Sequence, residues 1–207
     1  MGYNHYNSSS FYDIHISFDW KFFYIFIVIL RKLKMIEKIY FDMDGVLVNF
    51  NGGVEELCGV IPESQGTQHR SRSKEDEMWT KIASVPHFYS KLKPIDDSFK
   101  LISFARELVG YENVEILTGI PKPNRKVAFA SEDKIKWIKE YIDENIIVNT
   151  CLRAEKSKFA KNSAYILIDD HPGNIKAWNK AGGTGILFKS VESTLKLLEG
   201  MNMWTSL

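Results

Sequence analysis

The 207-residue sequence predicts a three-layer α/β fold: a doubly wound, mainly parallel five-stranded sheet with a small helical cap inserted after the first strand. Two observations predict it. Short apolar runs alternate with stretches of helical periodicity, the pattern of a parallel sheet covered by helices on both faces. One interval, residues 51–92, breaks the alternation and contains no convincing strand, which predicts the insertion.

The five predicted strands are short apolar runs, as expected for strands buried in a parallel sheet. They cover residues 39–41, 114–117, 146–151, 165–168 and 185–188. The carboxyl ends of parallel strands lie at one edge of the sheet, where ligands of open α/β folds bind. Functional residues are therefore expected directly after these runs.

Four stretches between and after the strands have an apolar face at helical spacing. They cover residues 99–108, 135–142, 175–181 and 191–198. The second follows an acidic segment, residues 131–133, which suits a helix N-terminus. Trp137 and Trp178 lie on apolar faces and are predicted to pack in the core.

The interval after the first strand is predicted to form the cap. Residues 51–60 and 74–83 have the pattern of two short helices, and an insertion at this point can fold over the end of the first strand. Aromatic rings in or beside the cap either stack on a substrate base or form the core of the cap. The core is favoured for Trp79, and both interpretations stay open for Phe50. The aromatic residues are Phe50, Trp79, Phe88 and Tyr89.

The first 34 residues differ in composition from the rest of the chain. Their apolar run, residues 22–30, is shorter than the about 20 residues of a transmembrane helix, and its basic residues follow the run instead of preceding it as in a secretory signal. We expect residues 1–34 to be a disordered extension or a misassigned start, with translation beginning at Met35 and the catalytic domain covering residues 35–207. Packing of the run on the domain and binding at a membrane interface are the alternatives.

Charge and cysteine content exclude several function classes. A formal net charge of +1 predicts neither a nucleic-acid partner nor an anionic membrane partner. The two cysteines, Cys58 and Cys151, match no disulfide framework and no zinc spacing. We expect a cytoplasmic protein with reduced thiols. The oligomeric state stays open, a homodimer included.

The first predicted strand ends at two carboxylates. Asp42 and Asp44 stand one residue apart after the apolar run and are followed by Gly45. Two acids are costly to bury close together, but they are reasonable at the carboxyl edge of a sheet, facing solvent and a cation. The alternative is an ordinary acidic turn, because Asp-Gly is common turn chemistry.

Three further strand ends carry polar residues. Thr118 and Gly119 follow the second run, Lys156 follows the third at the start of a predicted helix, and Asp169 and Asp170 follow the fourth. Adjacent carboxylates raise each other's pKa unless a positive charge neutralises them, so this pair is less often incidental. Since all these ends share one edge of a parallel sheet, they are predicted to form a single site.

These residue types suit the hydrolysis of a phosphate ester. Three or four carboxylates suit a hard divalent cation, and Mg²⁺ fits when a substrate phosphate completes its coordination. A lysine and a threonine can hold the phosphate oxygens, and an aspartate can attack phosphorus to form an aspartyl-phosphate. A second carboxylate two residues on can protonate the leaving oxygen and then activate water.

The same segments, in the same order, resemble the four motifs of the haloacid-dehalogenase-like hydrolases. The likeness covers nearly all of the chain from Met35 onward. Within that superfamily the chain is most similar to the 5′(3′)-deoxyribonucleotidase group and its phage and bacterial relatives. The segments that carry the likeness are FDMDGVLVNF (41–50), LTGIP (117–121), EDKIKW (132–137) and LIDDHPGNI (167–175).

The resemblance implies catalytic and substrate-binding roles for the matching residues. Asp42 would be the nucleophile, and Asp44 would be the general acid and base. The phosphoryl group would be held by Thr118, Gly119 and Lys156, with Lys158 as the alternative to Lys156.

The resemblance also implies a Mg²⁺ site. Its ligands would be Asp42, the backbone carbonyl of Met43, Asp44 and Asp169. Asp170 would be a further ligand or would lie just behind one.

The resulting expectation is a Mg²⁺-dependent phosphomonoesterase that acts on nucleoside monophosphates. A phosphatase for another small metabolite or for a polynucleotide end is the second interpretation, and the lack of a basic excess disfavours the polynucleotide. A non-catalytic binding module on the same fold is the third. It is disfavoured because every charged position of the proposed mechanism is filled.

Overall fold

The computed structural model describes residues 20–21, 24–25, 36–63 and 71–203. The chain divides into two compact units, Met1–Leu33 and Lys34–Leu207. In the first unit the described residues are helical. The rest of residues 1–34 lies outside the described residues, so the expectation of a disordered extension or a misassigned start stays a prediction. No helix in the described part of the chain is long and apolar enough to cross a membrane.

A sheet of five parallel strands forms the centre of the larger unit. The strands are β1 (Lys38–Phe41), β2 (Val114–Ile120), β3 (Val148–Leu152), β4 (Tyr165–Asp169) and β5 (Thr184–Leu187). Their order is β3-β2-β1-β4-β5, and every neighbouring pair is parallel. The strand order reverses between β1 and β4, so the crevice of the doubly wound sheet opens at the carboxyl ends of these two strands.

Helices cover both faces of the sheet. Those in the described residues are α1 (Phe50–Cys58), α2 (Arg72–Ser84), α3 (Ser98–Val109), α4 (Ala130–Tyr141), α5 (Pro172–Lys180) and α6 (Val191–Met203). Leu101 of α3, Trp137 of α4 and Leu198 of α6 join the larger core on one face. On the other face Trp178 of α5 packs against Tyr40. The predicted three-layer fold and the predicted burial of both tryptophans are confirmed.

β2 is longer than predicted. It continues to Ile120, so Thr118 and Gly119 lie within the strand and not after it. The extension is stabilised by β3, which pairs Thr150 with Thr118 and Cys151 with Gly119. The continuous apolar pattern marks only the central part of a parallel strand that is buried on both faces, and the end of β2 is polar and small.

Two helical predictions need correction. α4 begins at Ala130, preceded by Phe129 in the left-handed conformation, so residues 131–133 lie inside its first turn instead of capping it. The carboxylates of Glu132 and Asp133 still lie near the positive end of the helix dipole. Lys156 lies in the middle of a 3₁₀ segment, Arg153–Phe159, and not at the start of an α-helix.

The interval after β1 contains α1, α2 and a 3₁₀ turn at Tyr89–Lys91, while residues 64–70 between the helices are outside the described part. Val54, Ile82 and Phe88 from this interval are buried in the same core as the sheet. The cap is therefore attached to the sheet by continuous apolar packing, and its boundaries as a separate insertion stay a prediction.

Candidate active site

The loop after β1 carries the first two carboxylates to the edge of the sheet. The backbone amide of Asp42 donates to the Ile168 carbonyl at 2.9 Å, which continues the ladder between β1 and β4. Gly45 then adopts a left-handed conformation (φ 74°), and a Cβ atom there would overlap the carboxyl group of Asp170. Both the backbone conformation and the closeness of Asp170 therefore require glycine at this position.

Three of the predicted metal ligands converge at this edge. Asp42, Asp169 and Asp170 each offer an oxygen, and these oxygens lie within 4.8 Å of one another. Burial and the charge of Asp42 raise the pKa of Asp169 to about 6. Burial and the neighbouring aspartates raise the pKa of Asp170 to about 8. A bound cation would relieve this repulsion, and an all-carboxylate donor set suits a hard divalent ion.

Lys156 provides a positive charge within the group. Its Nζ atom lies 2.8 Å from Asp42 Oδ2 and 2.7 Å from Asp169 Oδ2. Burial disfavours the ammonium form, but the two carboxylates outweigh it and raise the pKa of Lys156 above its ordinary value. Lys158, the alternative phosphate contact, is exposed and pairs with Glu155, so the geometry favours Lys156.

Asp169 is held by two groups from the segment after β4. The backbone amide of His171 donates to Oδ1 at 2.8 Å, and the amide nitrogen of Asn174 lies 2.9 Å from both carboxylate oxygens. The sequence pattern predicts no role for Asn174. The sequence offers one signal for it, a polar residue in the first turn of a helix that begins at Pro172, one residue beyond the Asp169-Asp170 pair.

Asp44 pairs with Lys134, and not with the lysine that pairs with Asp42 and Asp169. Its Oδ2 atom accepts from Nζ of Lys134 at 2.6 Å, and the same Nζ donates to the Thr118 hydroxyl at 3.0 Å. Lys134 is fully buried, and its Nζ lies 4.4 Å from the centre of the Tyr89 ring. The Oδ1 atom of Asp44 is buried and has no hydrogen-bond partner among the described residues.

Burial raises the pKa of Asp44 above its ordinary value, Lys134 opposes the rise, and the charge of Asp42 adds to it. A raised pKa favours the protonated carboxyl that a general acid needs. No role is predicted for Lys134 from the motif that contains it. A signal was available, since Lys134 precedes Trp137 by three residues and Ile138 by four, and a lysine on a buried helix face is rare unless it is paired.

The other predicted site residues lie close by. The Met43 carbonyl accepts from the amides of residues 46–48, so it stabilises the loop, and its role as a metal ligand stays a prediction. Gly119 lines the cavity above the carboxylates. Thr118 is fully buried and reaches the site through Lys134, so its contact with a phosphoryl group also stays a prediction.

A cavity of about 480 Å³ opens at this edge of the sheet. Asp42, Asp170 and Lys156 line it from the sheet, and Phe50 and Trp79 line it from the cap. A charged region that can hold a phosphate therefore lies in the same cavity as an aromatic wall.

The aromatic wall is part of a packed cluster. The Phe50 ring centre lies 5.9 Å from that of Phe88 and 6.3 Å from those of Trp79 and Tyr89. Phe88 and Tyr89 are each 1% exposed, whereas Phe50 and Trp79 are partly exposed. Tyr89 lines the cavity with little exposed surface, and Phe50 and Trp79 line it with partly exposed rings. Packing in the cap and contact with a ligand are therefore compatible for these two rings.

Arg125, in the loop after β2, joins the sheet side of the cavity to the cap. Its guanidinium group pairs with Asp76 and lies 3.2 Å from Glu75, both on α2. It also lies 5.9 Å from the centre of the Trp79 ring. These contacts hold α2 over the cavity.

The fold and the site together define the class of this protein. A doubly wound sheet whose carboxylates at the carboxyl ends of β1 and β4 meet beneath a cap has the architecture of the haloacid-dehalogenase-like hydrolases. A family model described as "5′ nucleotidase, deoxy (Pyrimidine), cytosolic type C protein" matches residues 34–204, and the chain belongs to this family. The predicted resemblance is confirmed, and the chain is a hydrolase of the 5′-nucleotidase kind.

Two of the solved structures that are similar to this chain are each 13% identical to it, with a TM-score of 0.44. One is a hydrolase from Streptococcus pneumoniae TIGR4, with 79% of this chain and 98% of that chain covered. The other is a hydrolase from Pseudomonas syringae, with 80% and 90% covered. No curated protein matches this chain.

Proposed function

We propose that this chain is a Mg²⁺-dependent phosphomonoesterase that hydrolyses nucleoside monophosphates through an aspartyl-phosphate on Asp42. The observation that carries the proposal is the placement of three carboxylates within 4.8 Å of one another, beside a buried lysine, in a cavity of about 480 Å³. Membership of the nucleotidase family supports the substrate class.

Asp42, Asp169 and Asp170 would hold the cation. The ligand atoms that these residues offer are all carboxylate oxygens. Mg²⁺ takes such ligands while leaving coordination positions for substrate phosphate. When bound, the ion would neutralise charge on the phosphoryl oxygens. Asp44 lies outside this group and bonds Lys134, so we assign it to proton transfer.

The first chemical step forms a bond between a carboxylate oxygen of Asp42 and phosphorus, while the bond from phosphorus to the ester oxygen breaks. Asp44 gives its proton to the departing oxygen, which leaves as the nucleoside hydroxyl. In the second step Asp44 takes a proton from water as the water oxygen attacks phosphorus. Inorganic phosphate leaves and Asp42 is regenerated.

Lys156 and Gly119 line the cavity beside Asp42 and would face the phosphoryl oxygens. Phe50 and Trp79 would contact the base, because a flat aromatic face suits a nucleobase. The substrate is thereby held with its phosphorus at the nucleophile, and such positioning supplies a large part of the rate of phosphoryl transfer.

A substrate panel tests the proposed function. We expect turnover of deoxyribonucleoside or ribonucleoside monophosphates to exceed that of sugar phosphates, and to require Mg²⁺.

Trp79→Ala should raise KM for the preferred nucleotide by roughly 5–150-fold, since a stacked base gains about 1–3 kcal/mol, and should change KM for a small aryl phosphate little. Phe99→Ala, at an exposed ring of α3 outside the cavity, is the matched control. Equal turnover of nucleotides and sugar phosphates, or equal KM changes for both substrates, would contradict the nucleotide assignment.

Removing a proposed metal ligand provides a second test. Asp169→Ala should raise the Mg²⁺ concentration needed for half-maximal activity and should reduce the rise in melting temperature that Mg²⁺ produces. A cation that binds only the folded chain at 100 times its Kd stabilises that chain by about 2.7 kcal/mol, so the shift is measurable without substrate. Asp96→Ala, at an exposed acid outside the cavity, should leave both quantities unchanged. An unchanged Mg²⁺ requirement in Asp169→Ala would remove Asp169 from the metal site.

A further inference from the structure

His87 lies in the segment that leads from the cap back to the sheet, and it contacts the start of α4. Its Nδ1 atom is 2.8 Å from Oδ1 of Asp133, and since an ionised carboxylate only accepts, the imidazole donates. Its ring also stacks on Phe129, with the ring centres 4.7 Å apart. One side chain therefore makes two contacts between the cap and α4.

Both stacked residues have an unusual backbone conformation. The φ angle is 54° at His87 and 59° at Phe129, in the left-handed region that non-glycine residues seldom adopt. Such residues persist only where the surrounding structure holds them, and they are concentrated at functional sites. Here two of them touch each other at one junction.

The first turn of α4 depends on side-chain contacts of this kind. The helix has no side-chain hydrogen bond at its N-cap position. Asp133 is 4% exposed, and its Oδ2 atom has no hydrogen-bond partner among the described residues. The bond from His87, together with a 2.8 Å contact between the hydroxyls of Ser131 and Thr150, anchors the turn.

The residue after Asp133 is Lys134, whose Nζ atom bonds Asp44. The cap segment runs alongside this part of α4. Tyr89 places its ring against Lys134 Nζ, and one turn further on the indole nitrogen of Trp137 donates to the Leu92 carbonyl at 2.8 Å. A change at the start of α4 would therefore move the ammonium group of Lys134, which holds the carboxyl group of Asp44.

We propose that His87 is a positioning residue for the proton-transfer step: by holding Asp133 it sets the first turn of α4 so that Lys134 keeps Asp44 aligned with the leaving oxygen. The inference rests on the proposed function, in which Asp44 protonates that oxygen. It links the cap to the chemistry through α4 and not only through substrate contacts.

The test compares kcat/KM for a nucleoside monophosphate, whose leaving group needs a proton, with kcat/KM for an activated aryl phosphate such as a nitrophenyl phosphate, whose leaving group does not. His87→Gly removes the ring and tolerates the positive φ angle. We expect it to lower kcat/KM for the nucleotide by about tenfold to a hundredfold, since small misplacements of reacting groups have costs of this size, and to affect the aryl phosphate much less. His87→Asn also tolerates the φ angle, can place a donor near the position of Nδ1, and should restore most of the loss.

Two further variants separate positioning from general stability. Asp133→Ala removes the acceptor of the His87 bond and should reproduce the pattern of His87→Gly. It also provides the test if the glycine variant does not fold. Asp143→Asn weakens a comparable partly buried bond, 2.9 Å to Arg106, beyond the other end of α4. It should lower the melting temperature without a loss that depends on the leaving group.

A double-mutant cycle tests the route of the effect. In a Lys134→Met background the His87→Gly substitution should cause little further loss, because residues that act through one contact are not additive. Equal losses with both substrates, full additivity with Lys134→Met, or no rescue by His87→Asn would each overturn the inference. Asp44→Asn is measured in parallel. If its loss of kcat/KM is the same for both leaving groups, the proposed acid role of Asp44 fails. If the loss depends on the leaving group in Asp44→Asn but not in His87→Gly, only the role of His87 is rejected.

Discussion

Asp42→Asn is expected to reduce hydrolysis of a nucleoside monophosphate by several orders of magnitude while the chain still folds. Asparagine keeps the shape of the side chain but has no anionic oxygen to attack phosphorus. The substitution also removes one of the three carboxylates that converge and one of the two negative charges beside Lys156. Turnover at saturating Mg²⁺, measured beside the melting temperature, checks the prediction.

Asp97→Asn is the control for this variant, because Asp97 is an exposed aspartate that pairs with Lys100 outside the cavity. It should retain turnover. Mass analysis of acid-quenched protein adds a direct measurement, since the unaltered chain should carry a phosphoryl group on Asp42 during turnover. A folded Asp42→Asn protein with near-normal turnover, or a phosphoryl group trapped on another residue, would contradict the aspartyl-phosphate mechanism.

The part of the site that the sequence predicts best is the part that follows directly from strand order. Asp42 and Asp169 come at the ends of apolar runs, and parallel pairing brings those ends to one edge of the sheet whatever the helices do. The exact end of β2 could not be predicted, because Thr118 and Gly119 are paired by β3, which is distant in sequence.

Lys134 and Asn174 were missed for a different reason. Both project from helices, and the apolar face of a helix predicts which side is buried but not which polar group of another element lies opposite it. The spacing of Lys134 from Trp137 and Ile138 indicates a buried position, but the partner of its ammonium group depends on how α4 packs against the cap segment. That packing places the ammonium group between Asp44 and Thr118.

The roles of the aromatic residues in the cap could not be predicted from the sequence either. Aromatic residues in the insertion predict either packing or ligand contact, and the pattern of residues cannot distinguish a ring that does both. Phe50 packs on Phe88 and also lines the cavity, because the cluster forms part of the cavity wall. The contact between His87 and Asp133 joins residues 46 positions apart and has no local signature.

Asp44→Asn is expected to lower kcat/KM for a nucleoside monophosphate by about 10²–10⁴-fold, the usual contribution of a general acid. Asparagine can still accept from Lys134 through its side-chain oxygen, so the geometry should survive while the transferable proton is lost. Since kcat/KM reports the steps up to departure of the leaving group, an aryl phosphate should show a much smaller loss. Glu115→Gln, at a buried carboxylate of β2 that lies outside the cavity and bonds Asn149 at 2.8 Å, is the control.

The same variant should also slow the second step, because Asp44 then has no carboxylate to take a proton from water. With an aryl phosphate, Asp44→Asn should therefore release the aryl group in an initial burst and accumulate phosphorylated Asp42. Rapid-quench measurement of both products checks this. Equal losses in kcat/KM for the two substrates, with no burst, would mean that Asp44 acts only through the structure of the loop or through a metal ion. A burst without any dependence on the leaving group would restrict Asp44 to activating water, and the proton for the leaving oxygen would have to come from another group that lines the cavity.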